Sequence, residues 1–221
     1  RYGLINERRH QLHEVIRLSG MNRVINDMDM PLISKVASIP RERMQVYFID
    51  NEEYFKRKEM LHDKEGNLFP DNDERMIFFT KGVIETVKKL NWSPDIIYLH
   101  GWFTALFPLY MKTYFSQDPI FEHSKIVTSI YPEDLGGTLD PGLKDKIAFD
   151  QITTDLSSLT TPGYNQLMQL AIDHSDGLVV AGDQLSPELT QHIEASSKPT
   201  LSFADSKEET AHVDFFNTNF L

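Results

Sequence analysis

"DIIYLHGWFTALFPLYMK", residues 95–112, decides the fold. Ile96-Ile97-Tyr98-Leu99 is the short apolar run of a parallel strand buried on both faces. Pro94 marks its start, because proline has no N–H for a ladder and disfavours helix in the residue before it. The run ends on His100 and Gly101, and helical character resumes at once in "TALFPLYMKTYF" (104–115). Pro108 falls near the first turn of that helix, where a missing N–H costs little. His100 is therefore expected at the carboxyl end of a strand, the edge at which open α/β sheets bind ligands.

The same alternation continues outward. Met76, Phe79, Val83, Val87 and Leu90 form one stripe at helical spacing and predict a helix over about 72–90. Asp71 and Glu74 supply its N-terminal acceptor and acid. "KIVTSIY" (125–131) and "GLVVAG" (177–182) read as strands, and "TLSF" (200–203) as a short one. "YNQLMQLAIDHSD" (164–176) reads as helix, as does "SPELTQHIEAS" (186–196), with Ser186 as N-cap and Pro187 at the first position. "EETAHVDFFNTNF" (208–220) is a further helix. This order implies parallel strands covered by helices on both faces. Strands 95–100, 125–130 and 177–181 are expected as neighbours through right-handed crossovers.

Two regions read differently. In residues 12–50, "EVIRLSGMNRVI" (14–25) and "PLISKVASI" (31–39) flank a turn in "NDMDMP" (26–31), and "RMQVYFID" (43–50) gives a third strand. "EEYFKRK" (52–58) is a short helical or loop element. Residues 132–163, rich in Gly, Pro, Thr and Asp, read as a long functional or mobile loop with a little helix. The fold class is thus α/β, a Rossmann-like parallel sheet with a β-hairpin region near the start.

The 221 residues suffice for one large domain or two small ones. A net charge of −11 argues against nucleic acid and anionic membranes as partners, and says nothing against a neutral sugar polymer. The absence of cysteine excludes disulfides and thiolate zinc sites and suits a cytoplasmic protein. No apolar run approaches the ~20 residues of a spanning helix. The eight histidines are scattered without metal-ligand spacing, and no phosphate-loop, dinucleotide, zinc-protease or serine-elbow motif occurs. No metal or cofactor is expected. The chain starts at Arg1 with no signal-like segment, so a fragment is expected. Asn91-Trp92-Ser93 matches a glycosylation sequon but reads as a helix-to-strand turn.

His100 fits two roles: a strand-end histidine satisfied by a backbone carbonyl, or a ligand contact. Trp102 suits the core or a ligand platform. Asn72 and Arg75 suit a helix cap and a surface ion pair, or a site at the start of the long helix. Gly136-Gly137 is most simply a flexible turn.

Four segments taken together carry a resemblance: "VYFIDNEEYFKR" (46–57), "DNDERMIFFTKGVIE" (71–85), "PDIIYLHGWFTALFPLYMK" (94–112) and "KIVTS" (125–129). In order and spacing they resemble the N-terminal domain of bacterial glycogen synthase and plant starch synthase. The opening "RYGLI" and the later "YNQLMQLAIDHSDGLVVAG" are similar to family segments too. The resemblance implies the N-terminal domain of a GT-B glycosyltransferase: residues 1–221 as one starch synthase catalytic domain, lacking its first β-α unit and its C-terminal nucleotide-binding domain. It implies a hexosyltransferase of glycogen biosynthesis that moves glucose from ADP-glucose to α-1,4-glucan. The family's "HDW" histidine contacts the donor glucose, and that position is His100. Trp102, Asn72 and Arg75 are the other substrate-binding candidates, and no catalytic residue is assigned. His100 is expected to line a cleft with Trp102 beneath or beside it, and Asn72 and Arg75 to open the long helix near the same edge.

The departures bear on activity. The aspartate of "HDW" is Gly101, the "HN" of "TiHN" falls on Ile130 and Tyr131, and "TVS" becomes Val180-Ala181-Gly182. The family's "KTGGL" donor loop would lie upstream of Arg1. Its phosphate-neutralising Arg and Lys belong to the C-terminal domain, and such electrostatic stabilisation is usually the largest catalytic term. The isolated chain is therefore expected to be inactive. The alternative is a non-catalytic glucan-binding or regulatory relative, with a homo-oligomer or a partner enzyme as further possible partners.

Overall fold

The computed structural model describes residues 4–25 and 27–221. Arg1, Tyr2 and Gly3 of the "RYGLI" segment, and Asn26 of the expected turn, lie outside the described residues. The chain packs as two units, Arg1–Trp92 and Ser93–Leu221.

In the first unit, strands β1 (His13–Glu14), β2 (Met21–Ile25), β3 (Met28–Ile39) and β4 (Met44–Asp50) form an antiparallel sheet in which β3 pairs with all three others. The expected turn is shorter than "NDMDMP": β3 already begins at Met28. The reason is its period of two, with Met30, Leu32, Ser34 and Val36 all turned inward. Pro31 is tolerated because the pairing with β4 starts only at Ile33.

Helix α1 (Glu52–Phe55) follows, capped by Asn51 Oδ1, which accepts from the amides of Glu53 and Tyr54. Helix α2 (Asn72–Leu90) has the predicted bounds and buries Met76, Ile77, Phe78 and Ile84. Gly82 lets it approach closely: a Cβ there would stand 2.7 Å from Ile49 Cγ2 and 3.1 Å from Leu32 Cδ1. Asp71 is not the cap that the sequence suggests. Its carboxylate is taken by the Arg57 guanidinium, at 2.8 Å to Nη1 and 2.5 Å to Nη2. Asn91 ends the helix in the left-handed conformation, at φ 52°.

In the second unit, β5 (Ile96–His100), β6 (Lys125–Ile130), β7 (Gly177–Val180) and β8 (Thr200–Leu201) form a parallel sheet in the order of the chain. The helices are α3 (Phe107–Lys112), α4 (Leu143–Phe149), α5 (Tyr164–His174), α6 (Pro187–Ser196) and α7 (Ala211–Asn219). Helix α3 is shorter than expected, because a separate 3-10 turn takes up Trp102–Thr104. Helix α5 lies against β6, with α3 and α6 packed on it. On the other face Phe215, Phe216 and Phe220 of the α7 region pack on Val127, Val179 and Leu201.

Asp176 ties the lower edge together: its carboxylate accepts from the Ile126 amide at 2.8 Å and from Lys112 Nζ at 2.9 Å. The stretch 132–163 holds α4 and a 3-10 turn at Ser157–Thr160. It buries Leu135, Leu143, Ile147 and Leu159 completely, so it is a packed layer rather than a solvated tract. Among the described residues, no helix is long and apolar enough to cross a membrane.

Candidate functional site

Because β5 to β8 are parallel, their carboxyl ends share one edge, and the four segments leaving them build the site. His100 closes β5 and is exposed. Its side chain shares a face with Tyr98, two residues back, and the ring centroids are 4.2 Å apart. Tyr98 in turn meets the rings of Phe216 and His212 from α7, at 5.2 and 6.1 Å. Tyr98 also accepts a hydrogen bond from Ser129 Oγ at 2.8 Å. The Tyr131 hydroxyl lies 2.9 Å from His100 Nδ1. Partial burial, and then the neighbouring His212, hold the His100 pKa below the usual 6.5, which favours the neutral imidazole.

Gly101 explains the path beyond the histidine. Its φ of 75° and ψ of 158° fall in a region essentially reserved for glycine. Thr104 holds this turn with its hydroxyl on the Gly101 carbonyl at 2.9 Å. Trp102 is only 4% exposed, with its ring edge-on to Phe103 at 5.7 Å. The ring packed against His100 is thus that of Tyr98, while Trp102 belongs to the core under the turn.

Along the same edge, Tyr164 donates to the Tyr131 carbonyl at 2.5 Å. Gly182 passes Pro132 so closely that a Cβ would stand 2.5 Å from the ring. Beyond β7 a cavity of about 330 Å³ is lined by Gly182, Asp183, Thr190, Glu194 and Phe203, among others. His100 is not in its lining. Among the described residues no three His, Asp or Glu side chains gather as metal ligands.

Asn72 and Arg75 lie in the first unit and are brought together with each other. Neither is a surface group: they are 0% and 3% exposed. Arg75 donates to Asn72 Oδ1 at 2.5 Å and to the carbonyls of Tyr54 and Met60 at 2.8 Å each, between the rings of Phe55 and Phe69. Asn72 donates to the Leu61 carbonyl. Burial brings the Arg75 pKa down to about 10, so it stays charged at neutral pH. The pair fastens the segment 54–61 to the start of α2.

Tyr98, Tyr131 and His212 join His100 here, although no sequence motif marks any of them as a binding residue. Tyr131 could have been found by applying the strand-end rule to β6 as well as to β5. His212 carries no local signal, since only the docking of α7 brings it to the sheet.

The starch synthase catalytic domain model matches residues 1–197. The chain is 33% identical over 191 residues to a glycogen synthase of Chlorobium limicola, covering 86% of this chain and 38% of that one. It is 32% identical over 218 residues to a glycogen synthase of Chlorobaculum tepidum, covering 98% and 43%. Among solved structures it is similar to the catalytic domain of starch synthase IV from Arabidopsis thaliana, bound to ADP and acarbose. The TM-score is 0.64 and the identity 16%, over 87% of this chain and 40% of that one. The chain thus spans about two fifths of the length of these relatives. The fold is that of a GT-B glycosyltransferase domain.

Proposed function

Because the chain belongs to the family of starch synthase catalytic domains, we propose that it is the N-terminal part of a glycogen or starch synthase. Such an enzyme moves glucose from ADP-glucose to α-1,4-glucan in the cytoplasm. The observation that carries the reading is His100, exposed at the tip of β5 with its ring braced by Tyr98 and Tyr131, the residue that the resemblance aligns with the "HDW" histidine. His100 is the proposed contact to the donor glucose. Trp102 would support the turn behind it from the core. Asn72 and Arg75 hold segment 54–61 within the first unit, with their polar atoms engaged by protein groups, and are proposed there as structural rather than ligand-contacting residues.

The isolated 221-residue chain is proposed to be inactive. Transfer needs the diphosphate held, its charge neutralised and water excluded by domain closure. The resemblance puts the family's phosphate-neutralising Arg and Lys in a C-terminal domain, outside the four segments that carry it. Gly101 favours a second reading, a non-catalytic glucan-binding or regulatory relative working alone, as a homo-oligomer or with a partner enzyme. The backbone at Gly101 lies where an aspartate would be strained, so the residue expected from the resemblance does not suit this turn.

A radiolabelled glucose-transfer assay and calorimetry test both readings. The expected outcome is no transfer, ADP-glucose binding with Kd on the order of millimolar or weaker, and measurable binding of α-glucan. Turnover would overturn the expected inactivity, and micromolar donor affinity the expected weak donor binding. Binding of neither ADP-glucose nor glucan would sink the assignment of this site to carbohydrate.

A further inference from the structure

Tyr131 stands one residue beyond β6, at the same sheet edge as His100. Strands β5 and β6 pair in register with His100 opposite Ser129, and residues 129 and 131 share a face by the two-residue period of a strand. That places the phenol on the α7 side of the sheet, where its oxygen meets His100 Nδ1 at 2.9 Å. Tyr98 packs against the imidazole, with centroids 4.2 Å apart and the rings tilted by 59°, and restricts its rotation. Tyr131 is itself held: its carbonyl accepts from Tyr164, and the following Pro132 is wedged against Gly182.

We propose that Tyr131 is the positioning residue for His100, its hydroxyl donating to Nδ1 and so fixing the imidazole with its proton on Nε2. A phenol O–H is a better donor than a neutral imidazole N–H, and an imidazole nitrogen is a better acceptor than a phenol oxygen. The bond therefore runs from tyrosine to histidine whenever the ring is neutral, and the depressed pKa of His100 keeps it so near neutral pH. Among the described residues no protein group is hydrogen-bonded to Nε2. The strand tip thus presents a single aimed N–H donor. Its complement is an acceptor oxygen, such as a sugar hydroxyl accepting through its lone pair. The ligand side of the inference rests on the reading of His100 as the glucose contact; the tautomer does not.

Long-range proton–nitrogen NMR of the histidine rings tests it on the full chain, with His100→Gln used to assign the signals. In the wild type, His100 Nε2 is expected to resonate as a protonated nitrogen and Nδ1 as an unprotonated one, further apart than in free histidine. In Tyr131→Phe both signals return to free-histidine positions. A wild-type ring protonated on Nδ1, or a Tyr131→Phe spectrum identical to wild type, overturns the proposal. If Tyr131→Phe fails to fold, the wild-type spectrum alone decides. Calorimetry with glucan and with ADP-glucose on the same samples separates the two ideas. The Nε2–H form with binding of neither sinks the functional reading and leaves the positioning intact. Glucan binding with the Nδ1–H form does the reverse.

Discussion

The ring of Phe220 lies over the α-carbon of Gly177, occupying the space a side chain there would need; a Cβ would meet Cε2 at 3.1 Å and Cε1 at 3.3 Å. This contact seats the end of α7 on the first residue of β7. Gly177→Ala is expected to destabilise the protein by about 1–3 kcal/mol through overpacking. Phe220→Ala should also destabilise it, and the double variant should lose less than the sum of the two, because the clash has gone. Urea melts of the four proteins measure this. Additive losses would mean that the ring does not rest on Gly177 in solution.

Restoring the family's carboxylate by Gly101→Asp should cost about 1–3 kcal/mol, since the cost lies in the backbone conformation at φ 75° and ψ 158°. Nothing lies within 4 Å of a Cβ built there. Gly101→Ala should therefore cost about as much as the aspartate. Thermal unfolding checks the pair, and a neutral Gly101→Ala would refute the strained path.

Lys198 donates from Nζ to the carbonyls of Ile172, Asp173 and Ser175 at 2.6, 2.7 and 2.6 Å, satisfying the end of α5. Lys198→Met keeps the aliphatic stem and leaves those carbonyls without their cation. The expected loss is about 1–3 kcal/mol. An unchanged denaturation midpoint would show that water serves the helix end equally well.

His100 makes stability depend on pH. Its folded pKa lies below 6.5 through burial and the neighbouring His212, so below 6.5 the unfolded chain binds the proton more readily. The stabilisation is present in full above 6.5 and is lost as pH falls through the lower folded value. His100→Gln should flatten that part of the profile. Denaturant melts on either side of 6.5 measure it, and an identical slope in the variant would remove His100 from the account.

Much of this was legible from periodicity. The stripe Met76, Phe79, Val83, Val87 and Leu90 predicted α2 over its observed bounds, although only Met76 of the five is fully buried and the buried face runs through Ile77, Phe78 and Ile84, and the run Ile96–Leu99 placed His100 at a strand tip. Where a residue has two uses, the sequence misled. Asp71 has cap chemistry, yet its carboxylate is taken by Arg57, a partner that only the return of the chain provides. Asn72 and Arg75 look like surface polar groups, but Arg75 finds carbonyl oxygens and two aromatic faces and is buried between them. The stretch 132–163 hid its order because Leu135, Leu139, Leu143 and Ile147, all buried, recur every four residues while Gly136, Gly137, Pro141 and Gly142 interrupt that spacing, and helix forms only from Leu143. Tyr131 and His212 reach His100 through the sheet and through α7, which no local pattern encodes.

The strand order β5-β6-β7-β8 repeats the order of synthesis. Each new strand can therefore zip onto the one made just before it, without waiting for a distant segment. Helix α7 is different, for it emerges after all four strands that it covers. Until it docks, a nascent sheet bears Tyr98, Val127, Val179 and Leu201 on an open apolar surface. That interval is when the growing chain is most exposed to misassociation with other polypeptides and most in need of a chaperone.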